Sequence, residues 1–146
     1  QHAYDILNAK MQQGINAMVQ GNTGTDGKAP LDAALFVPVV VNCSFACELF
    51  LKSMLPINTR GHKLDELFLL LDSDIQNNIK SNTVDEMKKV KSTYSDTDFQ
   101  MDLTQNNNKF AEWRYFHEGN SQSANLEFIS RFMKSIFAVV NAERKK

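Results

Sequence analysis

The chain has little cysteine, proline or glycine: two, three and six residues respectively in 146. Two cysteines cannot build a disulfide scaffold, and Cys43 and Cys47, one helical turn apart, have no nearby His or third Cys to complete a metal set. They read as core residues. Scarce Pro and Gly, frequent Ala, Leu, Met, Gln, Lys and Glu, and no sustained apolar/polar alternation exclude a turn-rich β architecture and favour helices. Long hydrophobic runs are missing as well. The longest, Ala33–Val41 and Ile136–Val140, fall far short of the roughly 20 residues that span a bilayer, so no membrane insertion is expected. An excess of positive charge is absent too: 16 Lys+Arg stand against 17 Asp+Glu, so no bulk field draws in nucleic acid or anionic lipid. The basic clusters Lys88, Lys89, Lys91 and Arg144-Lys145-Lys146 contain no aromatic residue to stack a base and read as solvated faces. The opening Gln1-His2-Ala3-Tyr4-Asp5 has no charged-then-apolar order of a signal peptide, and a start without Met fits a domain excised from a longer chain. The expectation is a cytoplasmic globule.

What is present is 42% hydrophobic residues, enough for one core, arranged at helical spacing. Tyr4, Leu7, Met11, Ile15 and Met18 form an amphipathic stripe over about 3–20, closed by the glycine-rich stretch Gly21–Gly27, a flexible loop reaching to about 31. That loop ends Gly27-Lys28, but a phosphate-binding P-loop needs Gly where Asn22 stands, Ser or Thr where Ala29 stands, and a preceding strand. A second helix over about 36–55 is apolar nearly all round, with Pro38 in its first turn and Pro56 beyond its end, and belongs in the middle of a bundle. Leu64, Leu67, Phe68 and Leu71 mark a third helix. Two capping boxes, Ser73-Asp74-Ile75-Gln76 and Thr83-Val84-Asp85-Glu86, predict short helices near 74–80 and 84–91. Residues 92–108, rich in Ser, Thr, Asp, Asn and Gln, read as a polar connection with little fixed structure. Phe110, Trp113 and His117 outline a further helical stretch, interrupted at Gly119-Asn120. A last helix over about 123–143 carries Leu126, Ile129, Met133, Ile136, Phe137 and Val140 on one face, with Arg131 and Lys134 opposite. The fold class is therefore all-α: a single domain, an antiparallel four-helix up-and-down bundle with short accessory helices.

Charged residues on apolar helices are the candidates for function. Glu48 and Lys52, four apart on the second helix, can pair. Either they form a partly exposed ion pair at the helix edge, or Glu48 faces a cation from another helix. In Ala111–Glu118, the spacing of Phe110, Trp113, Arg114 and His117 puts guanidinium and imidazole on the face that carries the aromatic anchors. Glu48 is the natural acid for an inward-leaning Arg114, as a register-fixing tie. Alternatively Arg114 and His117 form an anion or phosphate site, which could also support phosphodiester cleavage. His62, before the third helix, reads as a cap.

Three blocks in this order, Ala46-Cys47-Glu48-Leu49-Phe50-Leu51-Lys52, Gly61-His62-Lys63-Leu64-Asp65-Glu66-Leu67-Phe68 and Phe110-Ala111-Glu112-Trp113-Arg114-Tyr115-Phe116-His117-Glu118, resemble the HEPN superfamily over about residues 33–140. The resemblance implies an antiparallel four-helix bundle, commonly a homodimer, in bacterial proteins tied to RNA cleavage, toxin–antitoxin pairs, phage defence or nucleotide binding. By position Glu48 resembles the acid of the second helix, His62 the histidine opening the third, and Arg114 the late-helix arginine. The family's ribonuclease signature places His after four to six intervening residues beyond that arginine, where this chain has Gly119, Asn120 and Ser121. The implied role is a non-catalytic module binding RNA or a nucleotide through Glu48, Lys52, His62, Arg114, Tyr115 and His117, with an antitoxin or defence-system protein as a further partner and no cofactor. A metal-independent ribonuclease using Arg114 and His117, or a structural domain of a larger protein, are the alternatives.

Overall fold

The computed structural model describes residues 2–19, 35–114 and 123–144; the side chains of residues 3, 4, 17–19 and 114 fall outside that description. The described residues form helices and no strand: α1 (His2–Val19), α2 (Phe36–Lys52), α3 (Leu64–Leu69), α4 (Ser73–Lys88), α5 (Asp96–Gln105), α6 (Lys109–Arg114) and α7 (Leu126–Glu143). No helix among them is long and apolar enough to cross a membrane. The glycine-rich loop lies outside the described residues.

The core is organised around α2 and α7. Helix α7 packs on both α2 and α4, and α2 also receives α1, α3 and α6. Met11 of α1 is buried, with Leu7 and Ile15 partly buried on the core beside it, as the stripe predicts. Leu64, Leu67, Phe68 and Leu71 are all buried. On α7 the buried set is Phe128, Ile129, Phe132, Met133, Ile136, Val139 and Val140, while Phe137 is only partly buried, tilted against Phe50 at 5.3 Å. The inward face is therefore centred on Phe132, not on Phe137.

Two local expectations change. The two capping boxes do not divide 73–91 into short helices, because α4 runs unbroken from Ser73 to Lys88. Its N-cap is Asp72, and Gln76 turns away to donate to the carbonyls of Leu69 and Leu71. Thr83 sits mid-helix, fully buried, its hydroxyl donating to the Ile79 carbonyl one turn back. Residues 92–108 are not a loose connection: α5 lies inside them, and Phe99 and Leu103 anchor it in the core. Phe99 stands 5.7 Å from Phe68, 5.8 Å from Phe128 and 5.9 Å from Phe132, joining α3, α5 and α7 through one aromatic cluster.

Helix α5 starts on a reciprocal capping box, in which the Ser95 hydroxyl accepts from the Asp98 amide and the Asp98 carboxylate accepts from the Ser95 amide. Its acid is Asp rather than the Glu or Gln of the usual pattern. The Lys91 ammonium 2.8 Å away, then the Ser95 hydroxyl and amide, hold the Asp98 carboxyl down to about 2. A depressed carboxyl contributes stability above its ordinary titration range and loses it as pH falls through the folded value. Asp98→Ala is thus expected to flatten the dependence of Tm on pH between about pH 4 and pH 2 relative to the wild type. Circular-dichroism melts across that window check it.

Candidate functional site

Glu48 is the only acid on α2, and the helix that carries it is otherwise mostly apolar. At 3% exposure it is not an edge residue. A carboxylate desolvated to that degree needs cations or hydrogen-bond donors. Two converge on its Oε1: Lys52 Nζ at 2.8 Å, one turn along the helix, and His62 Nδ1 at 2.9 Å, from the segment leading into α3. Gly61, with φ of 101°, shapes the backbone immediately before His62 in a conformation that favours glycine. Of the two sequence readings of Glu48, the partly exposed ion pair is therefore corrected. The second donor, His62, comes from a loop rather than from a helix.

His62 is not a cap. The N-cap of α3 is Lys63, with no side-chain bond to the helix, and the α3 amides find acceptors elsewhere. Leu64 N donates to the Asn107 carbonyl at 2.9 Å, and Glu66 N to Asp65 Oδ1 at 2.9 Å. The reason is one of polarity: a helix start needs acceptors, whereas His62 presents a donor to a carboxylate. Asn107 also donates through its side chain to Asp65 Oδ2, so the polar turn after α5 supplies what His62 was expected to supply.

Two buried oxygens on α2 take no hydrogen bond among the described residues, Glu48 Oε2 and, one turn earlier, Ser44 Oγ. Lys52 is one-quarter exposed and His62 two-thirds exposed, and Arg60, two residues before His62 in the chain, is exposed. Lys63 pairs with Glu66 at 2.9 Å, and that carboxylate holds the Lys63 ammonium above its ordinary range.

Arg114 ends α6, but its side chain, together with Tyr115 and His117, lies outside the described residues. Phe110 stacks on Phe45 at 4.7 Å and Trp113 meets Phe36 edge-on at 5.3 Å. Helix α6 therefore advances along α2 toward its first turn, while Glu48 lies three residues past Phe45 in the other direction. Among described residues, the side-chain donors to Glu48 are Lys52 and His62.

Cys43 and Cys47 are fully buried free thiols facing α7, Cys43 Sγ 3.7 Å from Met133 Sδ and Cys47 Sγ 3.8 Å from the Ile129 carbonyl. Burial, then the neighbouring Cys43, pushes the Cys47 thiol well up, so it stays protonated and unreactive. No described group of three His, Cys, Asp or Glu side chains is placed to hold a metal. At the end of α4, Lys89 pairs with Glu86 and Lys91 with Asp98, as suits solvated faces.

One polar constellation had no counterpart in the sequence reading. Asp102 of α5 accepts from the Tyr94 hydroxyl at 2.8 Å and from Asn125 Nδ2 at 2.9 Å. Asn125 also caps α7 by accepting from Phe128 N, and its own amide donates to the buried Asn106 Oδ1. Burial, then the Asp102 carboxylate, drives the Tyr94 phenol far above its ordinary range. The only signal in the sequence is a scatter of Asn and Asp that reads equally well as loop.

No family model, curated sequence or solved structure matches this chain.

Proposed function

We propose that the chain is a HEPN-like antiparallel bundle, built on α1, α2, α4 and α7 with shorter helices at its side, that pairs as a homodimer and serves as an RNA- or nucleotide-binding module without nuclease activity. An antitoxin or defence-system protein is its further partner in this reading. The observation that carries it is the shared acceptor: Lys52 and His62 both rest on Glu48 Oε1. A buried carboxylate that holds two donors restricts two long side chains to one geometry and leaves their outer surfaces toward solvent. Cations fixed in advance lose less freedom when a phosphate arrives than free surface lysines do. Arg60, exposed and two residues before His62 in the chain, offers a fork for phosphate oxygens. Arg114, Tyr115 and His117 complete the proposed ligand-binding set, and the missing histidine at residues 119–121 favours binding over cleavage.

The test is a fluorescence-anisotropy titration at low salt with labelled ATP and a short single-stranded RNA. Binding is expected, weakened about tenfold or more by Lys52→Ala or His62→Ala, as loss of a charge-assisted contact to phosphate implies. Arg131→Ala, tied to Glu86 and Glu127 on another face, is expected to bind as the wild type does. No binding of either probe, or equal binding by all three variants, sinks the reading. RNA cleavage abolished by His117→Ala would replace it with the ribonuclease.

A further inference from the structure

We propose that His62 is a phosphoryl-accepting histidine, modified at Nε2 by a small acyl phosphate. This rests on the Glu48–His62 geometry and does not depend on nucleotide binding. A carboxylate oxygen can only accept, so the contact at 2.9 Å places a proton on Nδ1, and in the neutral ring, the form that attacks, the lone pair is then on Nε2. Two-thirds of the His62 side chain is exposed, whereas Glu48 beneath it is almost wholly enclosed. The buried partner thus fixes the tautomer and the ring plane, and the nucleophilic edge stays outside. This is the orienter–base arrangement that activates side-chain nucleophiles, with the imidazole itself as the attacking group.

The surroundings suit a phosphoryl group rather than an acyl or alkyl group. The Lys52 ammonium shares Oε1 with the ring, so it lies no farther from Nδ1 than those two bonds laid end to end. Arg60, two residues before His62, is exposed. These cations can face a dianion in the attacking and product states. Of the other nucleophiles on α2, both cysteines are sealed in the core.

The step balances. The Nε2 lone pair attacks phosphorus, the N–P bond forms, and the P–O bond to the acyl carbon's oxygen breaks, its electron pair leaving on a carboxylate. The Nδ1 proton stays on the ring. The imidazolium charge created by the new bond sits against Glu48, which is already in place to stabilise it. No oxidant or metal enters.

The test is incubation of the whole chain with acetyl phosphate, followed by mass spectrometry under alkaline conditions and phosphorus NMR. One phosphoryl group is expected on His62, as an Nε2 adduct, forming about tenfold or more faster than on His2, an exposed histidine that serves as the internal control for exposure alone. Lys52→Met is expected to slow the reaction, and Glu48→Gln to slow it further and to mix Nδ1 with Nε2 adducts. If Glu48→Gln fails to fold, the wild-type regiochemistry and the Lys52→Met rate decide the matter. Labelling of His2 as fast as His62, an Nδ1 adduct, or no adduct at all would overturn the proposal. Failure of nucleotide binding leaves these readouts unchanged, so the two ideas fail separately.

Discussion

Phe132→Ala is expected to cost about 3–5 kcal/mol, in the top range for a single core truncation. Its ring is fully buried and is stacked on Phe128 at 5.5 Å with 11° between the planes. It also meets Phe99 at 5.9 Å and Phe68 at 6.0 Å. Three helices, α3, α5 and α7, therefore border the space the ring would vacate. Two of the bordering side chains are rigid aromatics on other helices, so the void cannot close by a rotamer change, and the cavity term adds to the lost transfer energy. Against a typical total stability of about 5–15 kcal/mol this lowers Tm by about 10 °C or more. Phe137→Ala, on the same helix but partly exposed, is the comparison and is expected to cost clearly less. Urea unfolding of both variants measures the difference. Equal midpoints would show that the aromatic cluster is not the centre of the core.

Asp102→Ala comes second, at about 2–4 kcal/mol, from the desolvation of donors left without an acceptor rather than from lost volume. Removing the carboxylate strands the hydroxyl of Tyr94, which is 3% exposed, and one N–H of Asn125. Asn125 is also the N-cap of α7, so the damage spreads to the first turn of a helix that buries Phe128, Ile129, Phe132 and Met133. Tyr94→Phe removes one of the stranded donors. In the double variant the losses are expected to be less than additive, because the second substitution deletes the group that the first one orphaned. A second readout is independent of stability: with Asp102 gone, the Tyr94 phenol is expected to titrate closer to its ordinary range in an alkaline absorbance titration. Additive losses, together with an unmoved phenol, would argue that the two residues do not share a buried bond.

The same distinction between local and assembled features separates what could be read from the chain itself. Helices α1, α3 and α7 announce themselves because an apolar stripe at three- and four-residue steps is a property of one segment, and α2 because it is apolar nearly all round; the described core residues of each lie in or against the core. Glu48 with Lys52 is legible for the same reason, since four residues bring them together on any helix. Helix α5 was hidden because ten residues with Phe99 and Leu103 as their buried anchors give too short a stripe, and its capping acid is an aspartate. Of the candidate site, Glu48 and Lys52 could be paired in advance, and the place of His62 could not.

Composition and periodicity by themselves determined the all-helical class of the described residues, helices α1, α2 and α7, and the inward placement of the thiols. Tertiary structure alone decided how deep Glu48 lies, which acceptor His62 serves and what ties α5 to α7. Those bonds span 14 residues from His62 to Glu48, 23 from Asn125 to Asp102 and 42 from Asn107 to Asp65. A hydrogen bond of that reach depends on the packing of intervening helices, and a polar side chain carries no local mark of which distant group will desolvate it or satisfy it.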